Sequence, residues 1–252
     1  MMSLHPDFLR LPIAHRGLHG PGVPENSLTA FRAAIAAGYG IECDIQAAAD
    51  GTPLVFHDDD LPRLTGAQGL VRTLDLDALS RLRLLGSDQP IPTLAEVLAE
   101  VAGRVPLLIE IKDQSLRSTE DIGDLSQRVA ALVADYAGPV AVMSFNPHSI
   151  AAFHAAAPRV AVGLTTCGYD AEEWPMLDAA SRADLAAIRD FERVGGGFIS
   201  HDRADLDNPA VAALKARGVP VLCWTIRSPD QEAAARRVAD NITFESYLPR
   251  QP

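Results

Sequence analysis

Short runs of β-branched and aliphatic residues alternate with Ala- and Leu-rich stretches of helical periodicity along the whole chain. Apolar strands that are each followed by a helix are typical of repeated βα units around a parallel sheet. The runs predict strands over residues 11–14, 40–46, 107–111, 140–145, 160–165, 197–200, 219–224 and 242–245. Eight strands with interleaved helices favour a (β/α)8 barrel of the TIM type, with a doubly wound open sheet as the second choice.

Capping signals locate four of the helices between these strands. A polar residue that can accept backbone N–H bonds begins each helix, and glycine or the end of the helical periodicity ends it. The helices expected on this basis run from Asn26 or Ser27 to Gly38, from Thr93 to Val101, from Asn208 to Gly218 and from Ser228 to Ala239.

One segment after the second strand departs from the βα pattern. Asp50-Gly51 is a two-residue hairpin signal, and a hairpin symmetric about it would place Asp44 opposite His57. Residues 58–90 then lack the βα alternation and are too long for an ordinary connection. We therefore predict a small insertion over the barrel mouth at about residues 58–90, within a single domain spanning residues 1–252.

Composition narrows the class of protein. With 252 residues, 48% hydrophobic and 22% charged, the chain resembles an ordinary globular domain. A net charge of −11 argues against nucleic acid or an anionic membrane as the main partner. No apolar stretch is long enough for a signal peptide or membrane anchor, so we expect a cytoplasmic protein. We expect its partner to be a small molecule. The sequence leaves the oligomeric state open. Cys43, Cys167 and Cys223 show no CxxC spacing and are expected to be buried apolar residues.

Carboxylates lie at the ends of two predicted strands, where an apolar core would exclude them unless they share a polar site. Glu42 and Asp44 are two residues apart on one strand and therefore project from the same face. Two like charges so close need a cation between them, and Glu110 at the end of the next parallel strand is the natural third ligand. Carboxylate oxygens favour a hard divalent ion, Mg²⁺ or Ca²⁺.

Other strand ends carry residues suited to phosphate chemistry. His15 and His57 could supply the base and the acid that cleavage of a phosphodiester requires, because imidazole titrates near neutral pH. Arg16 could bind two phosphate oxygens, and Lys112, one of only two lysines among 22 basic residues, could act as a point charge toward phosphate. Two further histidines could lie at the rim of the pocket: His19 and His201. Together these residue types predict metal-assisted phosphoester chemistry.

These residues lie within a series of short motifs: His15-Arg16-Gly17, Pro24-Glu25-Asn26-Ser27, Glu42-Cys43-Asp44-Ile45, Val55-Phe56-His57-Asp58, Arg63-Leu64-Thr65-Gly66, Ile91-Pro92-Thr93-Leu94-Ala95-Glu96, Glu110-Ile111-Lys112 and Trp224-Thr225. In this order, and over nearly the whole chain, the motifs resemble those of the glycerophosphodiester phosphodiesterase family. The resemblance implies a (β/α)8 barrel with an insertion after the His57 segment.

The resemblance also implies a reaction and roles for eight residues. The reaction is hydrolysis of a glycerophosphodiester to glycerol 3-phosphate and an alcohol, with the neighbouring glycerol hydroxyl able to attack first and form a cyclic phosphate that water opens. The implied roles are Glu42, Asp44 and Glu110 as ligands of a divalent metal, His15 and His57 as the acid and base, Arg16 and Lys112 on the phosphate, and Trp224 in the substrate pocket.

Two positions depart from the family pattern. Arg227 stands where the family often has Asn, and Phe244-Glu245 stands where Thr-Asp is common. We expect neither departure to touch the catalytic chemistry. Both could alter what lies beside the phosphate, so the sequence leaves the alcohol half of the substrate open.

Two other functions suit the same scaffold. A phospholipase D-like hydrolase of lysophospholipids or other phosphodiesters would need an apolar groove, although leucines at helical spacing are more often helix core. Candidate wall residues for that groove are Leu61, Leu64, Leu70, Leu82, Leu84 and Leu85. A non-catalytic barrel that binds a phosphorylated metabolite would need no acid/base pair, so His15 and His57 argue against it.

Overall fold

The computed structural model describes residues 2–251; Met1 and Pro252, which the predicted domain includes, lie outside the described residues. The strands are β1 (Ile13–Ala14), β2 (Gly40–Ala47), β3 (Pro53–Val55), β4 (Leu107–Ile111), β5 (Val140–Ser144), β6 (Ala161–Thr166), β7 (Phe198–Asp202), β8 (Val221–Ile226) and β9 (Asn241–Phe244). The α-helices are α1 (Asp7–Arg10), α2 (Leu28–Ala37), α3 (Pro62–Thr65), α4 (Leu76–Ser80), α5 (Leu94–Val101), α6 (Leu125–Val133), α7 (Pro147–Ala156), α8 (Ala179–Ala186), α9 (Pro209–Ala216) and α10 (Pro229–Ala235). Single 3₁₀ turns cover Val71–Thr73 and Arg203–Asp205.

Parallel pairing closes eight of these strands into a barrel. β1 pairs with β2 on one side and with β9 on the other, and the strands between them pair in the order β2, β4, β5, β6, β7, β8 and β9. Of the described strands, β3 alone is antiparallel, and it pairs with β2. The predicted (β/α)8 barrel is confirmed, and the doubly wound open sheet is wrong because β1 bonds to a neighbour on each side. Between residues 2 and 251, no helix is both long and apolar enough to cross a bilayer.

The predicted caps begin the predicted helices. Ser27 accepts a hydrogen bond from the N–H of Ala30 at the start of α2, and Gly38 ends that helix with a left-handed φ of +75°. Thr93 and Glu96 form a reciprocal capping box at the start of α5. Local sequence therefore determines where these two helices lie relative to the strands.

One helix ends earlier than expected. The helix that follows Ser228 ends at Ala235 and does not continue to Ala239. The N–H groups of Arg237 and Val238 bond to carbonyls three residues back, which tightens the chain into a turn. The turn returns the chain to the barrel, where β9 begins.

The register of the β2–β3 hairpin differs from the prediction by one residue. Asp44 lies opposite Phe56, whose N–H donates to the Asp44 carbonyl at 2.9 Å, and not opposite His57. The loop spans residues 49–51, because Gly51 takes a left-handed φ of +81° and adds a residue to the turn. His57 therefore follows the end of β3 and reaches the site from there.

The segment 58–90 builds a small apolar cluster of its own. Leu61, Leu64 and Leu84 are buried in it and pack with Leu54 of β3. Of the leucines considered as walls of an acyl groove, Leu70 and Leu85 are exposed, and Leu82 packs on the cluster. Packing within the segment thus accounts for the buried leucines. The position of this segment over the barrel mouth stays a prediction.

Apolar side chains fill the amino-terminal half of the barrel interior. Phe8 of α1 packs there with Leu108, Phe198 and Leu222, and all four are fully buried. Gly163 of β6 pairs in register with Phe198 of β7, and a Cβ atom at Gly163 would lie 2.6 Å from the Phe198 ring. The missing side chain at Gly163 makes room for the phenyl ring of Phe198, which helps to fill this half of the barrel interior.

We expect Gly163→Ala to lower the free energy of unfolding by about 1–3 kcal/mol, because the added methyl group overpacks the barrel against Phe198. Gly20→Ala is the matched control: no atom lies within 4 Å of a Cβ there, so its effect should stay within about 0.5 kcal/mol. Urea unfolding monitored by circular dichroism measures both. Equal unfolding midpoints for the two variants would contradict this account of the packing.

Candidate active site

The carboxyl ends of the barrel strands surround one cavity of about 180 Å³. All eight residues predicted for the site line it: His15, Arg16, Glu42, Asp44, His57, Glu110, Lys112 and Trp224. They come from distant parts of the sequence, and the closed barrel brings them to the end at which barrel enzymes form their sites.

Three buried carboxylates form the centre of the cavity. Glu42, Asp44 and Glu110 each offer one oxygen, and these three oxygens lie within 4.8 Å of one another. Asp44 and Glu110 are neighbours because β2 and β4 pair in parallel with these residues in register. Glu42 is two residues earlier on β2, so strand alternation places it on the same face.

The charges of this cluster call for a cation. Burial, together with the nearby charges of Asp44 and Glu110, raises the pKa of Glu42 well above its usual value. Oxygen ligands suit a hard divalent ion, whose charge would favour the ionised form of all three carboxylates. Glu42, Asp44 and Glu110 can therefore hold a divalent metal.

Two basic side chains already contact these carboxylates. Lys112 Nζ lies 2.8 Å from Glu110 Oε1 and 3.2 Å from Asp44 Oδ1. Arg16 Nε lies 3.2 Å from Asp44 Oδ2, and the Arg16 backbone N–H donates to Glu42 Oε2 at 2.9 Å. Burial alone would raise the pKa of Asp44, but neighbouring positive charges, with Lys112 the strongest, lower it well below its usual value. Asp44 is therefore ionised.

Asn26 orients Asp44 from the loop between β1 and α2. Its Nδ2 donates to Asp44 Oδ2 at 2.9 Å, and its backbone N–H donates to the Arg16 carbonyl at 2.9 Å. Both Asn26 and Arg16 have left-handed φ values, +54° and +55°. Asparagine tolerates this conformation better than most residues, whereas at Arg16 it is strained. The strained loop presents the Arg16 side chain and backbone N–H to the cluster together.

His15 is held by the carboxylate of the residue that follows the last strand. Its Nδ1 lies 2.5 Å from Glu245 Oε2, and Arg227 Nε donates to Glu245 Oε1 at 2.7 Å. Burial lowers the pKa of His15, although Glu245 opposes this shift. The hydrogen bond with His15 in turn holds the pKa of Glu245 well below its usual value. An ionised Glu245 therefore faces a largely buried imidazole.

His57 has a similar arrangement on the other side of the cluster. Its Nδ1 lies 2.7 Å from Asp58 Oδ1, and Arg63 Nε donates to Asp58 Oδ2 at 2.6 Å. Burial alone would raise the pKa of Asp58, but the hydrogen bonds from His57 and Arg63 lower it well below its usual value. Each of the two histidines thus contacts a carboxylate that an arginine also holds.

The two carboxylates fix the orientation of both imidazole rings. A proton on Nδ1 that is donated to an ionised carboxylate leaves Nε2 as the atom that can accept or donate a proton elsewhere. Among residues 2–251, no protein group forms a hydrogen bond to Nε2 of His15 or of His57. The geometry suits two proton-transfer groups that face a common ligand.

Some residues of the site were not assigned from the sequence. Glu245 was expected to lie away from the chemistry, and this expectation is wrong because Glu245 contacts His15 directly. Its place just after the last barrel strand was the available signal, since the carboxyl ends of barrel strands meet at the mouth. In the sequence, Asp58 stands out only as part of a motif, and Asn26 only as part of a motif and as a candidate helix cap. Their roles depend on contacts that the sequence does not show.

The remaining predicted pocket residues differ in position. Trp224 lines the cavity, donates its indole N–H to the Ser200 carbonyl at 3.0 Å, and meets the ring of Phe145 edge to face at 5.6 Å between centroids. His19 does not line the cavity, and its Nε2 lies 3.7 Å from Glu245 Oε2. His201 is fully buried and does not line the cavity, since its ring is bonded to Thr166 and Asp205. The cavity therefore has a charged side and an aromatic side.

Comparisons with known proteins agree with this architecture. A glycerophosphodiester phosphodiesterase of Caldanaerobacter subterraneus subsp. tengcongensis is 29% identical over 245 residues, 92% of each chain. The structure of an Oleispira antarctica phosphodiesterase in complex with the product sn-glycerol-3-phosphate aligns with a TM-score of 0.76 at 24% identity, over 94% of both chains. A Thermotoga maritima glycerophosphodiester phosphodiesterase aligns with a TM-score of 0.70 at 23% identity, over 93% of this chain and 94% of that one.

At these identities the solved structures support the fold. The sequence identifies the family. The sequence model of the glycerophosphoryl diester phosphodiesterase family matches residues 15–241, a range that includes all of the predicted site residues. The chain therefore belongs to the glycerophosphoryl diester phosphodiesterase family.

Proposed function

We propose that this protein is a phosphoric diester hydrolase that cleaves glycerophosphodiesters to glycerol 3-phosphate and an alcohol, using a divalent metal and two histidines. The observation that supports this most strongly is a single cavity that combines three carboxylates within 4.8 Å and two imidazoles, each held by a carboxylate. Membership of the family and the product bound to the Oleispira antarctica structure support the same reaction.

Glu42, Asp44 and Glu110 would hold the metal, Mg²⁺ or Ca²⁺, since both ions prefer carboxylate oxygens. Such an ion, when bound, polarises the phosphoryl group and favours deprotonation of the attacking hydroxyl. Arg16 and Lys112 lie beside the three carboxylates and would bind the phosphate oxygens, Arg16 as a planar fork and Lys112 as a point charge. Trp224, whose ring is fixed by its hydrogen bond, would line the pocket for the carbon atoms of the substrate.

His15 and His57 would move the protons. The oxygen of the neighbouring glycerol hydroxyl bonds to phosphorus while the bond from phosphorus to the alcohol oxygen breaks. One imidazole accepts the hydroxyl proton at Nε2, and the other donates a proton from Nε2 to the departing alcohol oxygen. Water then opens the cyclic phosphate with both proton transfers reversed, which returns the two rings to their starting states.

The alternatives are less well supported. A lysophospholipid hydrolase would need an open apolar groove, but Leu61, Leu64 and Leu84 pack inside the cluster of the 58–90 segment. A non-catalytic binding barrel would not need two imidazoles that are each oriented by a carboxylate. The ligand is therefore proposed to be a small glycerophosphodiester. Cytoplasmic location stays a prediction.

Metal-dependent turnover tests the proposed function. Protein treated with EDTA should be inactive, and added Mg²⁺ or Ca²⁺ should restore release of glycerol 3-phosphate from glycerophosphocholine or glycerophosphoethanolamine, detected with a coupled dehydrogenase. Lysophosphatidylcholine serves as the competing substrate. Faster turnover of lysophosphatidylcholine, or full activity in metal-free buffer, would reject this assignment.

We expect His15→Ala and His57→Ala each to lower kcat by roughly 10²-fold or more, the usual effect of losing a general acid or base. The double variant should be little worse than either single variant, because both groups act in one proton-transfer sequence. Circular dichroism and steady-state kinetics on the same samples separate loss of catalysis from loss of folding. A folded variant with near wild-type kcat would exclude that histidine from the mechanism.

Removal of the glycerol 2-hydroxyl should abolish turnover while leaving binding largely intact. A hydroxyl held beside the phosphorus supplies an effective concentration that a free water lacks. The measurement compares kcat for glycerophosphocholine and its 2-deoxy analogue at saturating metal, with inhibition by the analogue as the control for binding. Comparable kcat values would show that water attacks directly.

A further inference from the structure

Arg63, on α3 of the inserted segment, makes four hydrogen bonds to two carboxylates beside the cavity. Its Nε and Nη2 donate to the two oxygens of Asp58 at 2.6 and 2.7 Å. Its Nη1 and Nη2 donate to the two oxygens of Glu25 at 3.0 and 2.9 Å. The planar guanidinium has five donors and can bond two oxygens of each carboxylate at once, whereas an ammonium has only three donors and cannot make four such bonds.

Each of these carboxylates contacts a different residue of the site. Asp58 Oδ1 lies 2.7 Å from His57 Nδ1, and Glu25 Oε1 accepts a hydrogen bond from Arg16 Nη1 at 2.7 Å. The hydrogen bonds therefore form a continuous chain from His57 through Asp58, Arg63 and Glu25 to Arg16. One end of the chain is a proton-transfer candidate, and the other end is a phosphate-binding candidate.

Burial makes the bridge difficult to replace. The Asp58 and Glu25 side chains are only 17% and 15% exposed, while the Arg63 side chain is 48% exposed. Without Arg63, two mostly buried carboxylates would face each other with little water to screen them. Asp58 would lose the donors that fix its plane, and Glu25 would be held by Arg16 alone.

We propose that Arg63 is a positioning residue that couples the orientation of His57 to that of Arg16. This inference rests on the proposed function and adds to it a residue outside the cavity lining. Arg63 acts on His57 through Asp58, which fixes the Nδ1 proton and directs Nε2 toward the substrate. It acts on Arg16 through Glu25. Because Glu25 also binds Arg63, it binds Arg16 less tightly, and the guanidinium of Arg16 stays available to phosphate.

The kinetic test uses Arg63→Ala and Arg63→Lys, with Arg81→Ala as the matched control. Arg81 lies in the same segment and forms an ion pair with Asp77, but both side chains are about three-quarters exposed, at 75% and 76%. We expect Arg63→Ala to lower kcat and raise KM, with kcat/KM falling by roughly 10- to 100-fold, the scale of losing an outer orienting partner. Arg63→Lys should recover part of this loss, and Arg81→Ala should leave both constants unchanged.

Variants of the two carboxylates separate the two branches of the bridge. Asp58→Asn should lower kcat with little change in KM, and Glu25→Gln should mainly change KM. In the Arg63→Ala background, either change should add little, because the interaction it removes is already lost. Full additivity, or an Arg63→Ala variant with wild-type kcat and KM, would overturn the proposal.

A spectroscopic measurement makes the test independent of turnover. In ¹⁵N-histidine spectra of the full chain, with His57 assigned by His57→Gln, the wild type should show a protonated Nδ1 and an unprotonated Nε2 for neutral His57. Arg63→Ala should convert this to a mixture of tautomers, and Arg81→Ala should not. Arg63→Gln, which keeps most of the side chain, replaces Arg63→Ala if the latter does not fold.

The two proposals fail in different ways. A wild-type protein that cleaves no glycerophosphodiester, but whose His57 tautomer still depends on Arg63, would reject the substrate assignment and keep the positioning role. An active protein whose His57 spectrum is the same with and without Arg63 would reject the positioning role and keep the reaction.

Discussion

The repulsion among three buried carboxylates is the constraint on which the rest of the site depends. Glu42, Asp44 and Glu110 are held within 4.8 Å by strands whose register the barrel fixes, so they cannot move apart to relieve it. Lys112 contacts Asp44 and Glu110, and the Arg16 side chain contacts Asp44, so positive charge partly offsets the charge of the cluster. A site of this composition suits a divalent cation. The same carboxylates also hold Lys112 and Arg16 where the two side chains could bind a phosphate.

The two histidines are placed on this cluster by parts of the fold that have little else in common. Glu245 follows the last barrel strand and holds His15, whereas Asp58 opens the inserted segment and holds His57. In both cases an ionised carboxylate fixes Nδ1 and leaves Nε2 for chemistry. The inserted segment therefore supplies the carboxylate that holds His57, in addition to its own small apolar core.

Much of this could be predicted from the sequence, because strand alternation and helix caps are local signals. The alternation at Glu42 and Asp44 predicted a shared face, and the barrel rule predicted that strand ends converge. The predicted hairpin register was wrong by one residue because Gly51 adds a residue with a left-handed backbone conformation to the turn. The dipeptide Asp-Gly alone does not determine this conformation. The contact between His15 and Glu245 joins residues 230 positions apart, so no local pattern could show it.

The central claim is that the three carboxylates form one divalent metal site, and calorimetric titration of metal into the metal-free protein tests it most directly. We expect one Mg²⁺ or Ca²⁺ per chain in the wild type, and binding weakened by at least about tenfold in Glu110→Gln, which removes one ligand charge while keeping the shape of the side chain. The exposed Glu120→Gln variant is the control and should bind as the wild type does. Failure of the wild type to bind either ion saturably, or equal affinity in Glu110→Gln, would contradict the account.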